Sequence, residues 1–127
     1  MLHNMIITLL LAIGIMTPPA EVVAPIVERP YEVIQGEVTA YSSTPDQTDD
    51  TPFITANGDT VGQGTIACPG WLEFGTDVEI LGIPYKCNDR MAEKYRWGNY
   101  FDIWVVHRAE AYEFGRRDLE IKIFTDK

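Results

Sequence analysis

Lys86-Cys87-Asn88-Asp89-Arg90, followed by Gly98-Asn99-Tyr100-Phe101-Asp102-Ile103-Trp104, sets two aspartates 13 positions apart in unlike surroundings. Asp89 follows the apolar-rich run from Leu81 to Tyr85 and stands between Asn88 and Arg90. Asp102 is clamped by aromatic and aliphatic neighbours in the most apolar strand pattern of the chain, Phe101 to Val106. An acid in such a run is costly to bury unless it is paired or put to use. Desolvation raises the pKa of a carboxyl, which suits a general acid. The competing reading makes Asp102 a cap or a bridge between loops.

Working outward, the same strand pattern recurs. Glu32 to Ser43 carries the β-formers Val33, Val38 and Tyr41 at strand spacing. Thr65 to Pro69 is a short strand stopped by Pro69. Asp77 to Leu81 alternates, with Val78 and Ile80 inward and Asp77 and Glu79 outward. Gly82 breaks it, and Ile83 to Cys87 is its hairpin partner. Arg108 to Phe114 is a short helix ended by Gly115, with Ala109 and Tyr112 on one face. Asp118 to Phe124 is the last strand, with Leu119, Ile121 and Ile123 on one face. Thr55-Ala56-Asn57-Gly58-Asp59 is a turn signal, because Asn-Gly supplies residues that tolerate positive φ. Ser42 to Asp50 reads as an exposed polar loop. Short strands, frequent turns and one helix between the last two strands predict a small β-barrel in which non-neighbouring strands pair.

The 127 residues suffice for one domain. A net charge of −9 argues against nucleic-acid binding, which needs a basic surface. Much of the excess lies between Glu37 and Asp59, where Lys and Arg are missing, but the spacing is not that of an EF-hand. Residues 1–24 form an apolar leader whose core, Met5 to Met16, is short for a membrane span and fits a signal peptide. An uncleaved N-terminal anchor is the alternative. Residues 25–34 read as a linker and 35–127 as the barrel domain. Export places the protein in the cell envelope, periplasmic or extracellular, with no integral membrane domain beyond that anchor.

Two cysteines remain, Cys68 and Cys87. In an exported chain an even pair points to a disulfide rather than two free thiols. A zinc site would need two more ligands, and His107 is the only histidine outside the leader. A catalytic thiol formed by Cys87 with His107 stays open at this point, although no spacing supports it. Neither a metal nor another cofactor is expected.

From Val38 onward the chain resembles the three-aspartate (3D) domain, the barrel of the membrane-bound lytic transglycosylase A family, and the related barrel of rare lipoprotein A. The matching pieces are Val38-Thr39-Ala40-Tyr41, Thr55-Ala56-Asn57-Gly58, Ile66-Ala67-Cys68-Pro69, Leu72-Glu73-Phe74-Gly75-Thr76, Asn88-Asp89-Arg90, Phe101-Asp102-Ile103-Trp104, and Glu110-Ala111 through Phe114-Gly115. They keep order and approximate spacing as far as Ile123. The resemblance implies a mainly β fold, a small six-stranded double-psi β-barrel with one short helix. It implies binding to peptidoglycan glycan strands and lytic cleavage of the bond between N-acetylmuramic acid and N-acetylglucosamine.

Within that resemblance Asp102 matches the acid/base aspartate and Asp89 a second aspartate that orients substrate or tunes Asp102. Tyr41, Asp59, Trp71, Arg90, Trp97 and Tyr100 are the candidate substrate-binding residues. The family's first aspartate is Cys68 here, and a lysine often found two residues before the second aspartate is Cys87. Both matched positions line one cleft in the family, so the resemblance implies a Cys68–Cys87 disulfide in the cleft floor. A non-catalytic glycan-binding barrel is the alternative function, and a purely structural domain a third, because fold does not fix function.

Overall fold

Period-two patterning closes here into a barrel. The computed structural model describes residues 28–44 and 53–126. The leader, the start of the linker and the acid-bearing residues 45–52 lie outside the described residues. The strands are β1 (Tyr31–Tyr41), β2 (Thr65–Cys68), β3 (Asp77–Ile80), β4 (Ile83–Arg90), β5 (Tyr100–Trp104) and β6 (Arg117–Phe124), with helix α1 (Arg108–Phe114) between the last two. Their order around the closed barrel is β1-β5-β2-β4-β3-β6. The pairs β1·β5 and β2·β4 are parallel and the others antiparallel. This is the expected small six-stranded barrel with one short helix, including the expected pairing of strands distant in sequence. Strand β1 begins at Tyr31, paired with Phe124, so pairing starts inside the stretch read as linker.

Alternate residues fill the interior: Val38, Ile66, Cys68, Val78, Ile80, Cys87, Phe101, Ile103, Ile121 and Ile123. The Cys68–Cys87 disulfide joins β2 to β4, with Cα atoms 5.7 Å apart. Both cysteines are fully buried within this apolar set, so the bridge belongs to the core and does not line a cleft as the resemblance implies. Closing a loop of this size stabilises by about 3 kcal/mol in the chain-entropy account. It also leaves the catalytic-thiol reading without a thiol.

Two local details differ from expectation. The inward face of α1 carries Ala111 and Phe114, while Tyr112 is exposed and accepts hydrogen bonds from Arg108. Ser42, expected in an exposed loop, is buried. Arg116 pairs with Glu37 at 3.0 Å, and the Arg117 guanidinium lies over the Phe114 ring. Gly36 is required where β1 crosses the barrel, because a Cβ there would stand 2.5 Å from Ile121 Cδ1 and 2.9 Å from the Asn99 carbonyl.

The β3–β4 hairpin turns through Leu81 and Gly82, both at positive φ (53° and 76°). Two positive-φ residues between paired Ile80 and Ile83 make the tight turn that matches strand twist. Leucine is poorly suited to it, since its Cβ crowds the following carbonyl. Its side chain is largely exposed and contributes little packing. Leu81→Asn should therefore stabilise the fold by about 1 kcal/mol and raise Tm by about 4 °C. A calorimetric scan with unchanged or lower Tm would show that the leucine is not strained.

Candidate active site

Four strands carry the site through one lateral row. Thr39 on β1 is opposite Asp102 on β5, Asp102 is opposite Ala67 on β2, and Ala67 is opposite Asp89 on β4. The neighbours of Asp102 and Ala67 along each strand, Phe101, Ile103, Ile66 and Cys68, point into the core. Alternation therefore puts Asp102 and Ala67 on the opposite side, away from the barrel interior. There Tyr41, Ala67 and Met91 form a second apolar cluster with Tyr95, Tyr100 and Trp104.

Asp89 joins this face because of a register shift. Ile66 is opposite Cys87, but Ala67 is opposite Asp89, so Asn88 is an extra residue bulged out of the ladder. A bulge re-aims the residues that follow it. Without it, Asp89 would stand opposite Cys68 and face the apolar core.

Burial decides the chemistry of Asp102. The carboxyl is half-buried beside the aromatic cluster, and desolvation pushes its pKa up from 3.8 to about 7. The negative charge of Asp89 adds to the rise. Thr39 Oγ1 donates to Asp102 Oδ1 at 3.0 Å, which favours the charged form and offsets part of the shift. The group is thus partly protonated near neutral pH, and one oxygen is held in place by the threonine.

Asp89 is held by donors. Its Oδ1 accepts from the backbone N–H groups of Ala56 and Arg90, both at 2.9 Å. Its Oδ2 accepts from the Tyr41 hydroxyl at 2.5 Å. Burial and this bond raise the Tyr41 pKa far above the usual phenol range, so Tyr41 is a protonated donor. The Thr55–Asp59 turn read from the sequence is what delivers the Ala56 N–H. Thr55 N donates to the Asp59 carbonyl at 2.8 Å, and Asn57 N to the Asn88 carbonyl at 3.3 Å.

The structure thus brings Tyr41, Asp89, Asp102 and Tyr100 to one face. The other candidates lie elsewhere. Asp59 is exposed, and its carboxylate accepts from Asn57 Nδ2 within the turn. Arg90 serves the scaffold. Its Nη1 donates to the Pro69 and Leu72 carbonyls, and its guanidinium covers the Phe74 ring at 4.1 Å. Trp71 Nε1 donates to the Gly98 carbonyl at 3.1 Å, which sets it beside the loop that carries Trp97, 84% exposed. The sequence reading assigned no part to Thr39, Met91, Tyr95 or Trp104. Thr39 shares strand parity with Tyr41, a signal that could have placed it. No family model matches the chain, and no curated protein is significantly similar to it. Among the described residues no helix is long and apolar enough to cross a membrane, and no cluster of three His, Cys, Asp or Glu could hold a metal.

The raised carboxyl and the buried phenol each make a measurable difference. A carboxyl whose pKa rises on folding holds its proton more tightly in the folded state. Its stabilising contribution is therefore complete below about pH 4 and is lost as pH rises through about 7. Relative to Asp102→Asn, which has no such proton to lose, the native protein should lose about 4 kcal/mol of unfolding free energy between pH 4 and pH 8. Urea titrations of the two proteins at several pH values measure this, and a constant difference between them would refute a raised pKa. Tyr41→Phe removes a hydrogen bond to a charged acceptor and should cost about 2 kcal/mol at neutral pH. A loss below about 0.5 kcal/mol in the same assay would mean that the bond contributes nothing net.

Proposed function

We propose that the protein is an exported peptidoglycan-active barrel of the three-aspartate type, cleaving glycan strands as a lytic transglycosylase with Asp102 as its acid and base. The observation that carries the reading is a single carboxyl, raised to about 7, on an aromatic face of the barrel beside a second, well-anchored aspartate. The order of the seven sequence pieces and the six-stranded barrel support the same reading.

The chemistry needs one such group. Protonated Asp102 gives its proton to the glycosidic oxygen as the bond to the anomeric carbon of N-acetylmuramic acid breaks. The carboxylate left behind takes the proton of the same sugar's C6 hydroxyl, whose oxygen closes onto the anomeric carbon. The products are an anhydro-sugar end and a free hydroxyl, water is not consumed, and Asp102 returns protonated. A pKa near the working pH favours both transfers. Hydrolytic glycosidases, by contrast, place two carboxyl groups directly on the reacting centre. Asp89, two strands from Asp102 and so about 10 Å away at Cα level, acts through its charge. Thr39 fixes the reacting carboxyl, and Tyr100 on the same face offers an aromatic ring to sugar.

The position of Cys68 favours a second reading. The residue that replaces the family's first aspartate is sealed in the core as half of a disulfide, and no carboxylate stands there. In that case the face binds glycan without cutting it. Mass spectrometry of purified peptidoglycan after incubation with the protein separates the two. The native protein should yield anhydro-muropeptides, and Asp102→Asn should lower the yield at least about a hundredfold, the lower range for a positioned acid/base, while still pelleting with murein. Reducing-end products would mean hydrolysis. Retention on murein without products would establish the binding module, and no retention would refute both readings.

A further inference from the structure

The resemblance makes Tyr41 a substrate-binding residue, but the structure commits its hydroxyl elsewhere. The side chain is buried, and the hydroxyl donates to Asp89 Oδ2 at 2.5 Å. In the barrel order β1-β5-β2-β4 two strands separate Tyr41 from Asp89, and one of them carries Asp102. The phenol therefore reaches across the strand of one aspartate to bond the other.

The three donors to Asp89 are not equivalent. The N–H groups of Ala56 and Arg90 both reach Oδ1, at 2.9 Å each, so among the described residues Oδ2 depends on Tyr41. With phenylalanine at position 41, Oδ2 would meet an apolar ring in place of a donor. An ionised oxygen is not stable in that setting. The carboxylate would turn out into water, where its field is screened.

That field acts on Asp102. Besides Asp89 from β4, the titratable groups on this face are the phenols of Tyr41 from β1, Tyr95 from the segment before β5, and Tyr100 on β5 itself; Ala67 from β2 contributes none. Of the cations on the neighbouring segments, Lys94 lies over the Tyr95 ring, Arg96 Nε donates to the Met91 carbonyl, and Arg116 pairs with Glu37. Asp89 is the charge that bears on Asp102.

We propose that Tyr41 is a positioning residue: it holds the Asp89 carboxylate fixed in the row, and through that fixed charge it governs proton exchange at Asp102 without touching a ligand. The link stands on the geometry of the face. Its consequence for cleavage rests on the proposed function.

Carbon-13 NMR titration of the side-chain carboxyls in the full chain reads the Asp102 midpoint directly. Asp89→Asn should lower it by about one pH unit, the effect of a unit charge about 10 Å away at an effective dielectric constant of about 20. Tyr41→Phe should lower it by about half a unit or more, and should have no effect when Asp89 is already replaced. The sign separates two routes. Loss of a hydroxyl that solvated Asp102 directly would raise the midpoint, as Thr39→Val should do equally with Asp89 present or replaced. A midpoint that rises or stays in place in Tyr41→Phe would overturn the proposal, and so would a fall that persists in the Asp89→Asn background. A purely structural role for Tyr41 would lower stability and leave the midpoint where it is. If the protein yields anhydro-muropeptides, the alkaline limb of its pH profile should fall with the midpoint, because the first step needs protonated Asp102. An unmoved limb beside a moved midpoint, or no anhydro-muropeptides at all, would remove Asp102 as the acid while the titration sustains the link.

Discussion

The register shift at Asn88 organises the whole site. Strand β4 must present Cys87 to the interior, where it bonds Cys68, and two residues later present Asp89 to the opposite side. A regular strand cannot do both, because side chains alternate at every residue. One extra residue resolves the conflict, and Asp89 then falls in line with Ala67, Asp102 and Thr39. The disulfide and the bulge are therefore linked. The bridge spans the slip, with Cys87 before it on β4 and Cys68 after it on β2, and the slip is what lets an apolar covalent core and a polar row share one pair of strands.

Electrostatics then acts on that row unevenly. Two carboxylates on one face would repel, and the structure treats them differently. Asp89 receives two backbone N–H groups and a phenol hydroxyl, a set of donors suited to an acceptor-only carboxylate. Asp102 receives one threonine hydroxyl and is otherwise desolvated by burial. The unlike settings divide the roles, Asp89 being anchored by its donors and Asp102 left able to trade a proton. Ala67 between them is buried in the apolar cluster with Tyr41 and Met91. The Tyr41 side chain completes the arrangement by reaching from β1 to the carboxylate on β4 and covering that part of the face.

The core position of Cys68 separates fold maintenance from chemistry. A bridge buried among Ile66, Leu72, Val78 and Phe101 is shielded from solvent thiols and acts as a staple of the barrel. Arg90 makes the same point. It stands next to an aspartate of interest, yet its guanidinium ties together the loop after β2 through two carbonyls and a ring. Both residues sit inside the motifs that carry the resemblance, and both serve the scaffold.

The strands and the helix are legible in the chain alone, because period-two patterning, Gly115 after the helix and the Gly82 turn act locally, whereas strand ends are not: β4 runs past Cys87 to Arg90 and β5 stops at Trp104. Asp102 is marked there too, since an acid within Tyr-Phe-Asp-Ile-Trp is costly to bury wherever the strand goes. The Asn-Gly turn is also local, but what that turn serves is not. Closure of the barrel is what makes the Ala56 N–H cap Asp89, brings Tyr41 to the same carboxylate, and sets Thr39 on Asp102. These contacts join residues 33, 48 and 63 positions apart. They depend on which strands become neighbours and on a one-residue slip. No local propensity encodes that slip, because the same Cys-Asn-Asp-Arg run is compatible with either face until the disulfide and the core fix which side is inside.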